Sequence, residues 1–162
     1  MEKLKASAQK VQDYLEARGI AIRVQQLPDS TRTATEAAAA AGCEVKQIAK
    51  SLVFKDEDSG EAVLVIASGP NRVDTDKIEA ETGRRLGWAD ADFVREQTGF
   101  AIGGVPPVAH PKPLYTILDQ DLRNLDKVWA AAGTPNAIFE IKPGAMQSLT
   151  SGTWLYIAEE KS

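Results

Sequence analysis

The chain has 162 residues, of which 43% are hydrophobic and 26% charged, and a formal net charge of −4. That length suits one domain, 1–162, with a real core, and the composition excludes disordered and low-complexity classes. The acidic balance excludes a protein that coats DNA or RNA through many Lys/Arg–phosphate contacts, while leaving room for a local basic patch.

In chain order, residues 3–18 read as an amphipathic helix, with Leu4, Ala8, Val11 and Leu15 at helical spacing and Gly19 as the stop. "IAIRVQQL" (20–27) alternates and predicts a strand, and Pro28 to Arg32 a connector. Thr33 and Glu36 have capping-box spacing ahead of an alanine run, and Gly42 suits its end, so 34–41 is a helix. "EVKQIAK" (44–50) predicts a helical turn or two that hands over to the strand "SLVFK". A turn at 56–60 and the apolar strand 61–69 complete a hairpin expected at the centre of a sheet. Helices follow at 74–83 and 90–99, each with an Asp at its start and a Gly at its end. Strands are expected at 114–119, 127–132, 137–142 and 154–158, with a helical turn at 144–150. Helices and strands mix without strict βα alternation, which predicts an α+β domain with a mixed, curled sheet.

Cys43 is the sole cysteine, so an intrachain disulfide is impossible and a reducing compartment is expected. The charged start "MEKLKASAQKVQDYL" lacks a signal-peptide core. No apolar run approaches the roughly 20 residues of a membrane span, and the expected location is the cytoplasm, with no membrane partner. No nucleotide fingerprint or serine elbow is present. One histidine and one cysteine cannot make a conventional zinc site, so neither metal nor cofactor is expected. Cys43 and His110 could pair as nucleophile and base, but a small buried thiol fits the context of Cys43 better.

Three stretches could carry chemistry. Lys50, among apolar neighbours in "QIAKSLVF", could clamp a phosphate or carboxylate, or simply snorkel from a strand entrance. "GPNRVD" (69–74) is a turn from which Arg72 could reach a phosphate or pair with Asp74. "AIGGVPPVAH" (101–110) is a loop stiffened by Pro106 and Pro107, where Gly103 and Gly104 leave backbone N–H groups open to an oxyanion or carbonyl oxygen. His110, at its end, could act as an acid, a base or a donor, or be structural. Lys46, Lys50, Arg72 and Lys112 are the candidate phosphate contacts.

"QIAKSLVF", "VLVIASGPNRVD", "AIGGVPPVAH" and "GTPNAIFEI", in this order and spacing, resemble the YbaK/prolyl-tRNA-synthetase-associated domain family across almost the whole chain. The resemblance implies a partly barrel-like sheet surrounded by helices. It also implies aminoacyl-tRNA deacylation in trans, with a mischarged tRNA acceptor end as partner and a synthetase as a possible second one. The family lysine falls on Lys50 and the glycine loop on Gly103 and Gly104, which are the implied catalytic groups. The implied substrate-binding residues are Pro106, His110, Ser68, Asn71, Arg72, Gly133, Thr134 and Asn136. Cysteine-specific members carry a serine and an aspartate where this chain has Ala131, Ala132, Gly133 and Thr134, with Ile138 further on. That departure points to alanine-, serine- or threonine-like substrates, in a pocket expected to be small and apolar. Two other readings remain open at this stage: a non-catalytic tRNA- or synthetase-binding module of the same fold, and a hydrolase of small esters or amides.

Overall fold

In a computed structural model, which describes residues 4–28, 30–31 and 33–160, the first helix is α1 (Ala6–Ala17), burying Ala8, Val11 and Leu15. The predicted strand at 20–27 shrinks to β1 (Gln25–Gln26). The cause is Gln12 of α1. Its Nε2 donates to the Ile22 carbonyl (3.0 Å) and its Oε1 accepts from Val24 N–H (2.8 Å), so a side chain takes the place of a ladder. The predicted helix start at Lys3, and Asp29 and Arg32 of the connector, lie outside the described residues. The helix α2 (Ala34–Ala41) has its capping box, with Thr33 Oγ1 accepting from Glu36 N–H at 3.1 Å and the Glu36 carboxylate accepting from Thr33 N–H at 3.3 Å.

The helical expectation over 44–50 is half right. Val45–Gln47 form a 3₁₀ turn, but β2 (Ile48–Asp56) already begins at Ile48. Parallel pairing of Ile48 and Ala49 with Trp129 and Ala130, and antiparallel pairing of Ala49 with Ser68, draw "IAK" into the sheet. Lys50 is therefore a strand residue. β3 (Ala62–Ser68), α3 (Thr75–Thr82) and α4 (Ala91–Thr98) follow, the helices capped by Asp74 and Asp90. A short β4 (Leu86–Gly87), which no pattern announced, pairs with the end of β2. β5 (Tyr115–Asp119), β6 (Val128–Ala131) and β7 (Ala137–Ile141) lie as expected. The expected turn at 144–150 is a complete helix, α5 (Pro143–Thr150), with Pro143 pre-set for its first turn. β8 (Thr153–Leu155) is shorter than predicted, and Ala158 forms only an isolated bridge with Val73.

The eight strands described make one mixed, unclosed sheet in the order β1-β7-β6-β2-β3-β5-β8, with β4 off the path. The β2–β3 hairpin is central, flanked by parallel pairings to β6 and β5. β3 is buried throughout, because its residues alternate between two cores. Leu64 and Ile66 join α1, Phe139 and Met146, whereas Val63, Val65 and Ala67 meet Ile78 of α3 and Ile157. A third cluster, with Ala37 and Ala38 of α2 against Ile48, Trp129 and Ile138, closes one end of the sheet. The arrangement is the expected α+β domain.

Candidate functional site

Beside that third cluster a cavity of about 460 Å³ opens between α2, β2, β6 and the 102–105 loop. Lys50, Gly69 and Gly103 all line it, so the lysine, turn and loop motifs meet at one place. Ala34, Ala37, Ala130 and Ala131 keep the walls thin, and Thr31, Thr33 and Thr35 contribute hydroxyl-bearing side chains.

Lys50 is half-buried and donates from Nζ to the Gly69 carbonyl oxygen at 3.1 Å. Burial pushes its ammonium below the ordinary lysine value; the Asp119 carboxylate works against this and Arg72 adds to it. Gly69 must be glycine, since a Cβ there would overlap the Val45 carbonyl oxygen.

The turn that presents Gly69 hangs on a buried carboxylate. Asp119, 1% exposed, accepts from Ser68 N–H (2.9 Å) and Asn71 Nδ2 (2.8 Å) at Oδ2, and from Asp121 N–H (2.9 Å) at Oδ1. Asn71 Nδ2 also donates to Asp121 Oδ2 (2.8 Å), and Ser68 Oγ donates to the Lys46 carbonyl (2.7 Å). The functional groups of Ser68 and Asn71 are thus engaged within the scaffold. Arg72 is exposed and does not line the cavity. Lys46 is also exposed, paired with Glu44 at 3.3 Å.

The two glycines of the loop do different work. Gly103 faces the cavity. Gly104 is buried behind it, with its N–H donated to the Ala101 carbonyl (3.0 Å) and its carbonyl accepting from Gly133 N–H (2.9 Å). A Cβ on Gly104 would stand 2.9 Å from Thr134 N, so the contact with the 133–136 loop requires glycine. That second loop then grips the α2 connector. Thr134 Oγ1 donates to Asn136 Oδ1 (3.2 Å), Asn136 Nδ2 donates to the Leu27 carbonyl (3.0 Å), and Thr31 Oγ1 donates to the Pro135 carbonyl (2.9 Å). Gly133, Thr134 and Asn136 consequently frame the cavity from behind while Ala131 lines it.

His110 is not brought to Lys50. It lines a separate hollow of about 600 Å³ with Lys112. His110 Nε2 lies 2.8 Å from the Pro106 carbonyl, which can only accept, so this nitrogen carries the hydrogen. Burial holds the ring below the ordinary imidazole value, with the Pro106 bond opposing. Cys43 packs against the α2 cluster, and burial pushes its thiol up, away from nucleophile chemistry. Among the described residues no group of three His, Cys, Asp or Glu side chains could hold a metal ion.

Sequence reasoning missed Asp119, which ends a strand with no motif around it. It also missed Ser51 and Trp129. Their Oγ and Nε1 are the two buried side-chain polar atoms without a hydrogen-bond partner among the described residues, and both residues line this cavity. Such atoms cost about 1–3 kcal/mol each and concentrate where function tolerates them.

A model of the "Aminoacyl-tRNA editing domain" family matches residues 28–149. The chain belongs to the aminoacyl-tRNA editing domain family. The editing-domain fold is shared with a solved structure described as a "putative trans-editing enzyme for prolyl tRNA synthetase", at 49% identity and a TM-score of 0.91, covering 98% of this chain and 100% of that one. "Uncharacterized protein YwhH" of Bacillus subtilis is 31% identical over 140 residues, 85% of this chain and 87% of the relative. The "Putative Cys-tRNA(Pro)/Cys-tRNA(Cys) deacylase EbsC" of Enterococcus faecalis is 26% identical over 130 residues, 80% and 79% of the two chains. No helix among the described residues of this editing domain is long and apolar enough to cross a membrane.

Proposed function

We propose that this editing domain is a trans-acting deacylase that frees tRNA, tRNA(Pro) first among the candidates, of a wrongly attached small amino acid such as alanine, serine, threonine or 2-aminobutyrate. The observation that carries the reading is the meeting of a half-buried Lys50 ammonium, bonded to the Gly69 carbonyl at 3.1 Å, with the Gly103 edge of the loop in one cavity. Lys50 binds a phosphate or backbone oxygen of the acceptor end as a point charge. Gly103 N–H, which has no backbone acceptor among the described residues, faces the ester carbonyl. Gly104, Pro106 and His110 hold the loop's shape, and Arg72 offers a second cation outside the cavity.

Water adds to the ester carbonyl carbon, the bond to the ribose oxygen breaks, and that oxygen leaves with a proton as the free tRNA hydroxyl. The products are the amino acid and uncharged tRNA. The vicinal ribose hydroxyl helps position the water, so the reading assigns no metal and no protein nucleophile. Positioning alone can remove several kcal/mol of such a barrier.

A panel of mischarged tRNAs tests this. Release of alanine, serine, threonine or 2-aminobutyrate from tRNA(Pro), with prolyl-tRNA(Pro) spared, is expected. The alanine part of the wall resolves one methylene only about 10- to 200-fold, so several small residues should be released. Preference for cysteine overturns the substrate assignment. Binding of tRNA without release of any amino acid overturns catalysis in favour of a binding module.

A further inference from the structure

Next to the Lys50 cavity lies a smaller hollow of about 250 Å³, and the two share Ser51, Leu52, Ile102, Gly103 and Val105 as a common wall. Its mouth is flanked by Trp88, 81% exposed, and Ile102, 54% exposed. These are two of the four large hydrophobic side chains standing in solvent among the described residues. Its lining contains no charged side chain. A hollow this size, uncharged and edged by an open indole, suits one planar heterocycle whose phosphates stay outside.

We propose that this hollow takes an unpaired nucleobase of the RNA end, the one preceding the esterified nucleotide, stacked on Trp88. The inference rests on the deacylase reading, because the shared wall sets the hollow beside Gly103, where that reading places the ester. An indole face serves any base, since every base has a π-face. The contact therefore grips the single-stranded end without reading its sequence. It also explains how an acidic protein holds RNA, through stacking rather than many phosphate contacts.

The experiment titrates the folded full chain with the trinucleotide CpCpA and with versions lacking one base at a time. It follows the indole N–H resonances of Trp88, Trp129 and Trp154, assigned with Trp88→Phe. The Trp88 signal should move, and loss of one non-terminal base should abolish that movement. Trp88→Ala should weaken binding about 5- to 100-fold, with an unchanged slope of log affinity against log salt because no phosphate contact is removed. Trp88→Phe should restore most of the affinity.

In deacylation, Trp88→Ala should raise KM and spare kcat. An unmoved Trp88 signal, or wild-type affinity and KM in Trp88→Ala, overturns the proposal. A Trp88 signal that shifts with protein concentration alone also overturns it, by assigning the hollow to a second copy. Failure of the deacylase reading looks different: no amino acid is released from any tRNA while CpCpA still moves Trp88.

Discussion

The two ends of the central hairpin place charged groups in opposite circumstances. At the turn end, Asp56 is 4% exposed and fully engaged. Its Oδ1 accepts from Asp58 N–H (2.9 Å) and Ser59 N–H (3.3 Å), and its Oδ2 meets Arg84 Nη1 at 3.1 Å. Those partners hold its carboxyl below the ordinary value, the Asp58 amide foremost. At the open end, Lys50 has one carbonyl among the described residues, and the carboxylate nearest in effect, Asp119, is engaged by three N–H donors. One charge is complete within the fold and serves it. The other is left partly unmatched, and that is the group a ligand can complete.

The sharpest way to break this contrast is Lys50→Met. Deacylation should fall about 10²- to 10³-fold, the loss seen when one preorganised donor is removed. Stability should hold or rise. Burial depresses the lysine's pKa, so at neutral pH the folded state carries a charge it binds less well than the unfolded chain does. That penalty eases only as pH climbs through the depressed value toward the ordinary one. Thermal melts at pH 7 alongside single-turnover assays check both halves; a destabilised variant with normal specific activity would reverse the assignment.

Asp119→Asn tests whether the turn must be held. An amide cannot accept at both oxygens, so Gly69 and Lys50 lose their fixed relation, and a rate loss of up to about 100-fold is expected from misplacement. Rescue by Asp119→Glu should be poor, since the longer stem displaces the same acceptors.

At the other end, Asp56→Asn should lower Tm by a few degrees at pH 7 and leave the activity of the folded fraction unchanged. Asp56 has a lowered pKa, so its contribution is present above the ordinary carboxylate value and lost as pH falls through the depressed one. Melts of the two proteins should converge in acid.

His110 gives the smallest effect. Its resonance, from the only histidine of the chain, should titrate below the ordinary imidazole value. Stability should fall as pH drops through that ordinary value and level off below the depressed one, because the unfolded chain takes the proton first. His110→Gln, which keeps a donor for the Pro106 carbonyl, should leave deacylation near wild type.

What was legible in the sequence was whatever depends on neighbours in the chain. Caps at Thr33, Asp74 and Asp90 form as their spacing predicts. The apolar run 62–68 is the central strand, and the Lys50 and Gly103 motifs arrive at one cavity. What was hidden depends on residues distant in sequence. Gln12 reaches forward to replace a strand ladder, and β6 recruits Ile48 into β2. Asp119 serves a turn 48 to 51 residues earlier. Thr31, Thr33 and Thr35, rather than the GTPN segment, line the cavity, while Thr134 and Asn136 bond to each other and to Leu27.

The helix α2 forms one side of that cavity, yet the residues it buries are only Ala37 and Ala38. A methyl group removed from water contributes little beside the Val11 and Leu15 side chains that seat α1. That side of the cavity is thus seated by methyl groups, where α1 is seated by branched side chains. Its backbone amides should exchange with deuterated solvent well before those of α1 and β3, and a bound acceptor end should slow them.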